Sequence, residues 1–311
     1  MNVTRLDDPP VRRPSRLRRL KEVPVLPSLI TLGNLFFGFL AIAKVADALR
    51  TTAPAAPFSA VVGMFETAAI LVFVAMVFDA LDGRVARMTG QSTPFGAQLD
   101  SMADMVTFGL TPAFLAKVLV DWHAQGDDNR LLPVHPKLFF AAAAVYACCA
   151  ALRLARFNVE TGADEEDHRE FKGLPSPAAA AVICSLVALF CTRGDKAAEL
   201  SHRLLGDGGF DWIVVGMPVA LVVTGLLMVS RIPFPHAFGA LLRGRHSLPF
   251  LAVLAVLLIV AAVEWQLALA TSVLGYLLWG LGLGLWRFLT QKRDDDDDEP
   301  ETPVRPAPSR N

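Results

Sequence analysis

The chain has 311 residues, 53% of them hydrophobic and only 19% charged, with a formal net charge of -1. With a positive mean hydropathy, this balance excludes an ordinary water-soluble domain, and nothing in it calls for nucleic acid as a partner. The class it points to is an all-α integral membrane protein.

In chain order, residues 1–23 form a polar arm with Arg5, Arg12, Arg13, Arg16, Arg18, Arg19 and Lys21, interrupted by Pro9, Pro10 and Pro14. Such a segment suits a flexible arm over an anionic leaflet, and by the positive-inside rule it keeps the N-terminus in the cytoplasm. Apolar runs near the roughly 20 residues that cross about 30 Å of hydrocarbon then recur. They fall near 28–47, 63–87, 99–119, 138–157, 175–192, 210–230, 248–264 and 266–288. The first run could be read as a cleaved leader, but its apolar core exceeds the roughly 7 to 15 residues of a signal, so it is expected to remain as a helix. An even number of spans returns the C-terminus to the cytoplasm. Arg84, Arg87, Arg153, Arg156, Arg169, Lys172, Arg231, Arg243 and Arg245 then fall at cytoplasmic ends or loops.

Cys148, Cys149, Cys184 and Cys191 lie within predicted helices without CxxC spacing, and are expected to pack as small apolar residues. The first six spans carry nearly all the polar residues, at helix ends, whereas the last two, "LPFLAVLAVLLIVAAV" and "QLALATSVLGYLLWGLGLGLW" within 237–290, are almost purely apolar; the core unit is set at 24–236. The expected organisation is a six-helix core with two additional C-terminal transmembrane helices. Residues 291–311, acidic and then proline-rich, are expected to be a disordered tail.

Against this apolar background, four aspartates stand out. Asp79 and Asp82 share one helix face at three residues apart, and Asp100 and Asp104 share one on the next helix at four apart. The second span ends where the third begins, so the two pairs meet at one membrane boundary. Four carboxylates cannot all stay ionised side by side without compensation. A divalent cation supplies it, and hard oxygen ligands select Mg²⁺, Mn²⁺ or Ca²⁺, with substrate phosphates completing the shell. Gly83, Ala86 and Gly96 leave room for a flat base or a backbone, and Arg87, two turns from Asp79, can hold a diphosphate through its forked donors. Two other readings exist: neutralisation of Arg84 and Arg87 at an interface, and a divalent-cation transporter. Neither accounts for the glycine, alanine and arginine spacings.

The pattern Asp79-x2-Asp82-Gly83-x2-Ala86-Arg87-x8-Gly96-x3-Asp100-x3-Asp104 resembles the signature of the CDP-alcohol phosphotransferases, membrane enzymes of phospholipid synthesis. The resemblance implies that Asp79, Asp82 and Asp100 bind two divalent ions, Mg²⁺ or Mn²⁺. Asp104 would then be the base that activates the acceptor hydroxyl, with a share in metal binding. It also implies that Gly83, Ala86, Arg87 and Gly96 shape a pocket for the cytidine diphosphate of CDP-diacylglycerol, and that the protein is a homodimer.

Other stretches bear on the acceptor. "CCAALRLARFNVE", "FKGLPSPAAA", "SLITLGNLFFGFLAI" and "LMVSRIPFP" resemble the phosphatidylserine synthase branch of that family. L-serine is therefore expected as acceptor, ahead of glycerol phosphate, inositol phosphate or choline. Thr107 and Thr111 depart from the serine and alanine more usual in that branch, which touches only fine acceptor selectivity. Arg153 and Arg156, three apart on one face, are candidate partners for the serine carboxylate, as is Lys172. Thr31 and Asn34 share one face of the first span and are candidate contacts to the cytidine or its phosphates, and Ser176 is read as a helix cap. A single compact synthase with its active face in the cytoplasm suits a bacterial inner membrane.

Overall fold

The computed structural model describes residues 25–51, 58–90, 93–124, 136–161, 173–195, 197–232, 234 and 248–297. The basic arm, Lys172 with the charged loop around it, and the end of the acidic tail lie outside the described residues.

Every regular element among the described residues is helical. They are α1 (Val25–Arg50), α2 (Phe58–Thr89), α3 (Pro94–Asp104), a six-residue π-helical segment (Met105–Leu110) and α4 (Thr111–Ala124). α5 (Pro136–Thr161), α6 (Ser176–Cys191), α7 (Glu199–Val229), α8 (Leu248–Val263) and α9 (Trp265–Asp297) follow. Among the described residues seven stretches are long and apolar enough to cross a membrane, with α3, the π segment and α4 forming one of them. α8 covers the seventh expected span but has 16 residues, fewer than any of the seven.

The packing follows a seven-residue repeat that is visible in the chain. In α1 the buried residues are Pro27, Ser28, Thr31, Asn34, Gly38, Ala41, Val45 and Ala48. In α2 Val61, Phe65, Ala68, Val72, Ala75 and Asp82 form a buried stripe of alternating three- and four-residue steps that passes through Asp79, widened by buried Val62 and Ala69. A stripe of that period keeps one face of each helix against its neighbour. Small residues on both stripes let α1 and α2 lie close along their length, the main route to helix association in lipid. The opposite faces carry exposed Leu29, Phe36, Phe39, Ile70 and Val77, which suits hydrocarbon rather than water.

α6 occupies the centre, with Ile183, Val187, Ala188 and Phe190 fully enclosed. It packs against α2, α4, α7 and α9. α7 bends at Gly206, whose φ of 59° and ψ of 177° are outside the helical region, and it accommodates Pro218 further on. At its far end the chain closes on the loop before α6: Gly173 N donates to Ile232 O at 2.9 Å and Leu174 N to Leu227 O at 3.0 Å.

The two closing helices turn at the other end of the molecule. Glu264, between α8 and α9, is buried and accepts from Leu200 N at 2.6 Å, Ser201 N at 2.9 Å and the Ser201 hydroxyl. A carboxylate is well placed there, since the first turn of a helix leaves N–H groups without partners. Gln266 Nε2 donates to Glu66 Oε1 at 2.8 Å. α9 then packs along α6 and α8 and runs back toward the aspartate end.

Candidate active site

Thr93 and Pro94 explain how the carboxylates are brought together. Thr93 is extended (φ -127°, ψ 152°) and its hydroxyl accepts from Gly96 N at 3.1 Å, while Pro94 opens α3 with a preset φ. The chain therefore reverses sharply after α2 and starts a new helix at the same membrane boundary. Asp79 and Asp82, at the end of the inward stripe of α2, face Asp100, nearly two turns into α3. One oxygen from each of these three carboxylates lies within 4.8 Å of the other two. Asp104, expected to share in metal binding, is one turn deeper, outside that trio but within electrostatic range of Asp79, Asp100 and Asp82.

Three oxygens that close could hold a divalent cation. The donor set fits one: Asp82 Oδ2 and Asp100 Oδ1 are buried without a hydrogen-bond partner, as expected of lone pairs reserved for a metal.

Beside the trio opens a cavity of about 260 Å³. Asp82, Asp100, Gly83, Ala86, Arg87, Gly96 and Thr31 all line it, so most residues expected at the nucleotide meet in one cavity between α1, α2 and α3. A Cβ added at Gly83 would meet nothing within 4 Å, so the glycine faces open space. Ser28 and Thr93 line the cavity too, and the sequence reading passed over both. Ser28 carried a signal: it sits one turn before Thr31 on the same buried stripe, and its Oγ has no partner. The Thr31 hydroxyl donates to Pro27 O at 3.1 Å.

Asn34 lies beside the cavity rather than in its lining. It is fully buried, and its Nδ2 donates to Asp104 Oδ1 at 3.1 Å. Thr107 and Thr111, expected to bear on acceptor choice, are also fully buried: Thr107 donates to Asn34 O of α1 at 3.3 Å, and Thr111 to Val106 O at 2.8 Å, with Gly38 O of α1 at 3.3 Å.

On the other side of Asp104 stands Arg153 of α5, within electrostatic range of that carboxylate. Its Nη1 donates to Ser176 Oγ at 2.9 Å, and its Nε is buried without a partner. Ser176 thus serves as an acceptor for Arg153, not as the helix cap expected of it; Pro175 holds the cap position, with no side-chain bond there. Arg156 follows one turn later, half-buried. Ser101 Oγ donates to Asn158 Oδ1 at 3.0 Å and ties α3 to the end of α5.

The sequence profile described as CDP-alcohol phosphatidyltransferase matches residues 24–225. A CDP-diacylglycerol–serine O-phosphatidyltransferase of Helicobacter pylori is 30% identical over 212 residues, covering 68% of this chain and 72% of the relative. One of the same name from Mycobacterium tuberculosis is 29% identical over 294 residues, covering 92% of this chain and 87% of the relative. An archaetidylserine synthase of Methanothermobacter thermautotrophicus is 29% identical over 224 residues, covering 71% and 74%.

Proposed function

Because the chain belongs to the CDP-alcohol phosphatidyltransferase family, we propose that it transfers the phosphatidyl group of CDP-diacylglycerol to the hydroxyl of L-serine, giving phosphatidylserine and CMP. The observation that carries this reading is the carboxylate trio beside a cavity walled by Gly83, Ala86, Arg87 and Gly96. Serine as acceptor is supported by relatives from bacteria and an archaeon whose names share serine and differ in the lipid.

In this reading Asp79, Asp82 and Asp100 hold two Mg²⁺ or Mn²⁺ ions, with Asp104 able to share in their shell. Bound there, the ions neutralise charge on the diphosphate and on the departing CMP. Arg87 grips the diphosphate in its forked donors, and the small residues give the cytidine a close approach. Thr31 completes the donor side, whereas Asn34, set back from the cavity, turns its amide to Asp104 instead. Asp104 accepts the proton as the serine oxygen forms its bond to the β-phosphorus and the bond to CMP breaks. Arg153, with an N–H lacking a partner in a buried setting, is suited to the serine carboxylate; Arg156 adds positive charge one turn away, and Lys172 keeps the serine-binding role expected of it from the sequence. The acyl chains remain in the leaflet, between helices.

The setting belongs to the same proposal. Residues 24–236 form the transferase unit and 237–290 an addition. The basic arm, both termini and the aspartate end face the cytoplasm of a bacterial inner membrane, in a homodimer. The test is labelled serine with CDP-diacylglycerol and Mn²⁺, run beside glycerol phosphate, inositol phosphate and choline. Labelled phosphatidylserine with CMP release is the expected result. Lipid product only with another alcohol refutes serine, and none with any alcohol refutes the transferase reading in favour of cation transport.

A further inference from the structure

We propose that Asn34 is a positioning residue for Asp104: its amide fixes one carboxylate oxygen, so that the other meets the acceptor hydroxyl. This rests on the reading of Asp104 as the base, and it goes beyond the role in nucleotide binding that Asn34 has in the sequence.

An ionised carboxylate only accepts hydrogen bonds, so the amide must turn its NH₂ toward Asp104. It does so, with Nδ2 at 3.1 Å from Asp104 Oδ1. That choice leaves Asn34 Oδ1 buried and without a donor. A side chain selected for stability alone would not keep an enclosed amide with half its capacity unmet, because an unsatisfied buried oxygen costs more than an apolar replacement of equal shape. The unmet oxygen is the mark of a residue kept for what its other end holds.

The backbone around the pair is fixed to match. Asp104 immediately precedes the π segment, where the helix changes register, a feature found disproportionately at functional sites. That segment is pinned to α1 by Thr107 Oγ1 on Asn34 O, and from the other side by Tyr146 OH on Phe108 O at 2.9 Å, while Thr111 Oγ1 closes the turn on Val106 O at 2.8 Å with Gly38 O at 3.3 Å beyond it. Gly38 permits the contact, since a Cβ there would run into the Thr107 side chain. Asn34 therefore supplies both a side-chain donor to Asp104 and a backbone acceptor to the turn that carries it.

Asn34→Leu keeps the size and removes the donor. The expected result is a kcat lower by about 10- to 100-fold. KM for serine and for CDP-diacylglycerol stays within about threefold, and thermal stability in detergent changes little, since losing the unmet Asn34 oxygen offsets withdrawing the donor from Asp104 Oδ1. Asn34→Gln, which keeps an amide donor, recovers part of the lost kcat. The proposal is overturned by a leucine variant with kcat within about twofold of wild type, by one that loses cooperative unfolding or metal-dependent donor binding, or by equal kcat in the leucine and glutamine variants. Asp104→Asn is measured alongside. If that variant keeps wild-type turnover, the base assignment itself fails; if it is inactive while Asn34→Leu is not, only the positioning role does.

Discussion

Replacing Asp104 with asparagine separates binding from chemistry more cleanly than any other change at the site. The carboxylate trio of Asp79, Asp82 and Asp100 does not include Asp104, so its removal leaves the three close oxygens in place. The fold tolerates the change as well, because the new amide can turn its oxygen toward Asn34 Nδ2 and keep that bond. What disappears is the proton acceptor. A positioned base contributes roughly 10² to 10⁴ in rate, equivalent to about 2.7 to 5.4 kcal/mol of barrier. Turnover, followed as serine-dependent CMP release, is expected to fall by at least that range. The affinity for CDP-diacylglycerol at fixed Mg²⁺ or Mn²⁺, measured by calorimetry in detergent, is expected to change little. Asp100→Asn, which removes one of the trio, is expected to weaken both. Loss of donor binding in Asp104→Asn as complete as in Asp100→Asn would refute the division of labour and make Asp104 chiefly a metal ligand.

Asp79→Asn and Asp82→Asn each exchange an anionic ligand for a neutral one of similar size, so turnover is expected to vanish while the folded helices persist, and EDTA is expected to act likewise. Arg153→Ala removes a charged donor worth about 1.5 to 3 kcal/mol, so steady-state kinetics should show KM for serine raised about 10- to 100-fold with KM for CDP-diacylglycerol little changed. Gly173→Ala places a Cβ 2.6 Å from Met228 O on a backbone with φ of 94°. At least about 1 to 2 kcal/mol of destabilisation follows from the left-handed conformation alone, visible as a lower melting temperature. Glu264→Ala strips the start of α7 of its buried acceptor, and about 2 to 4 kcal/mol of lost stability is expected in thermal unfolding, with KM for serine unchanged.

The helices and the carboxylate trio could be read from the chain because both obey local spacing. Asp79 and Asp82 extend a stripe already set by Val61, Phe65, Ala68, Val72 and Ala75, so the period that buries the apolar residues also aims the carboxylates inward. The turn at Thr93 and Pro94 is equally local. The pairings that refine the site are not local. Asn34 and Asp104 are 70 residues apart, Arg153 and Ser176 are 23 apart, and Ser201 and Glu264 are 63 apart. No periodicity announces which of several polar residues on neighbouring stripes will meet. The π segment is hidden for a related reason: "MVTFGL" has the composition of an ordinary apolar helix, and its changed register depends on Thr107, Thr111 and Tyr146 finding backbone carbonyls.

The distribution of unmet polar atoms argues that this end of the molecule is built for ligands. Among the described residues, the buried side-chain atoms without a hydrogen-bond partner are Ser28 Oγ, Asn34 Oδ1, Asp82 Oδ2, Asp100 Oδ1 and Arg153 Nε. All five belong to residues that line the cavity or flank Asp104. The opposite end is as polar but closed. There Arg193 Nη1 and His123 Nε2 converge on Asp211 at 2.5 and 3.3 Å, Glu264 accepts from Leu200 and Ser201, and Gln266 donates to Glu66. Burying an unpaired donor or acceptor is costly, and where bilayer limits water it has few remedies other than a protein partner or a ligand. The fold supplies partners at one end and withholds them at the other. The withheld partners match what the proposed reaction brings: cations for the carboxylate oxygens and an anionic group for Arg153. Ligand binding should therefore stabilise the protein by more than its contacts at the rim suggest, and the largest rise in melting temperature is expected only when metal, CDP-diacylglycerol and serine are present together.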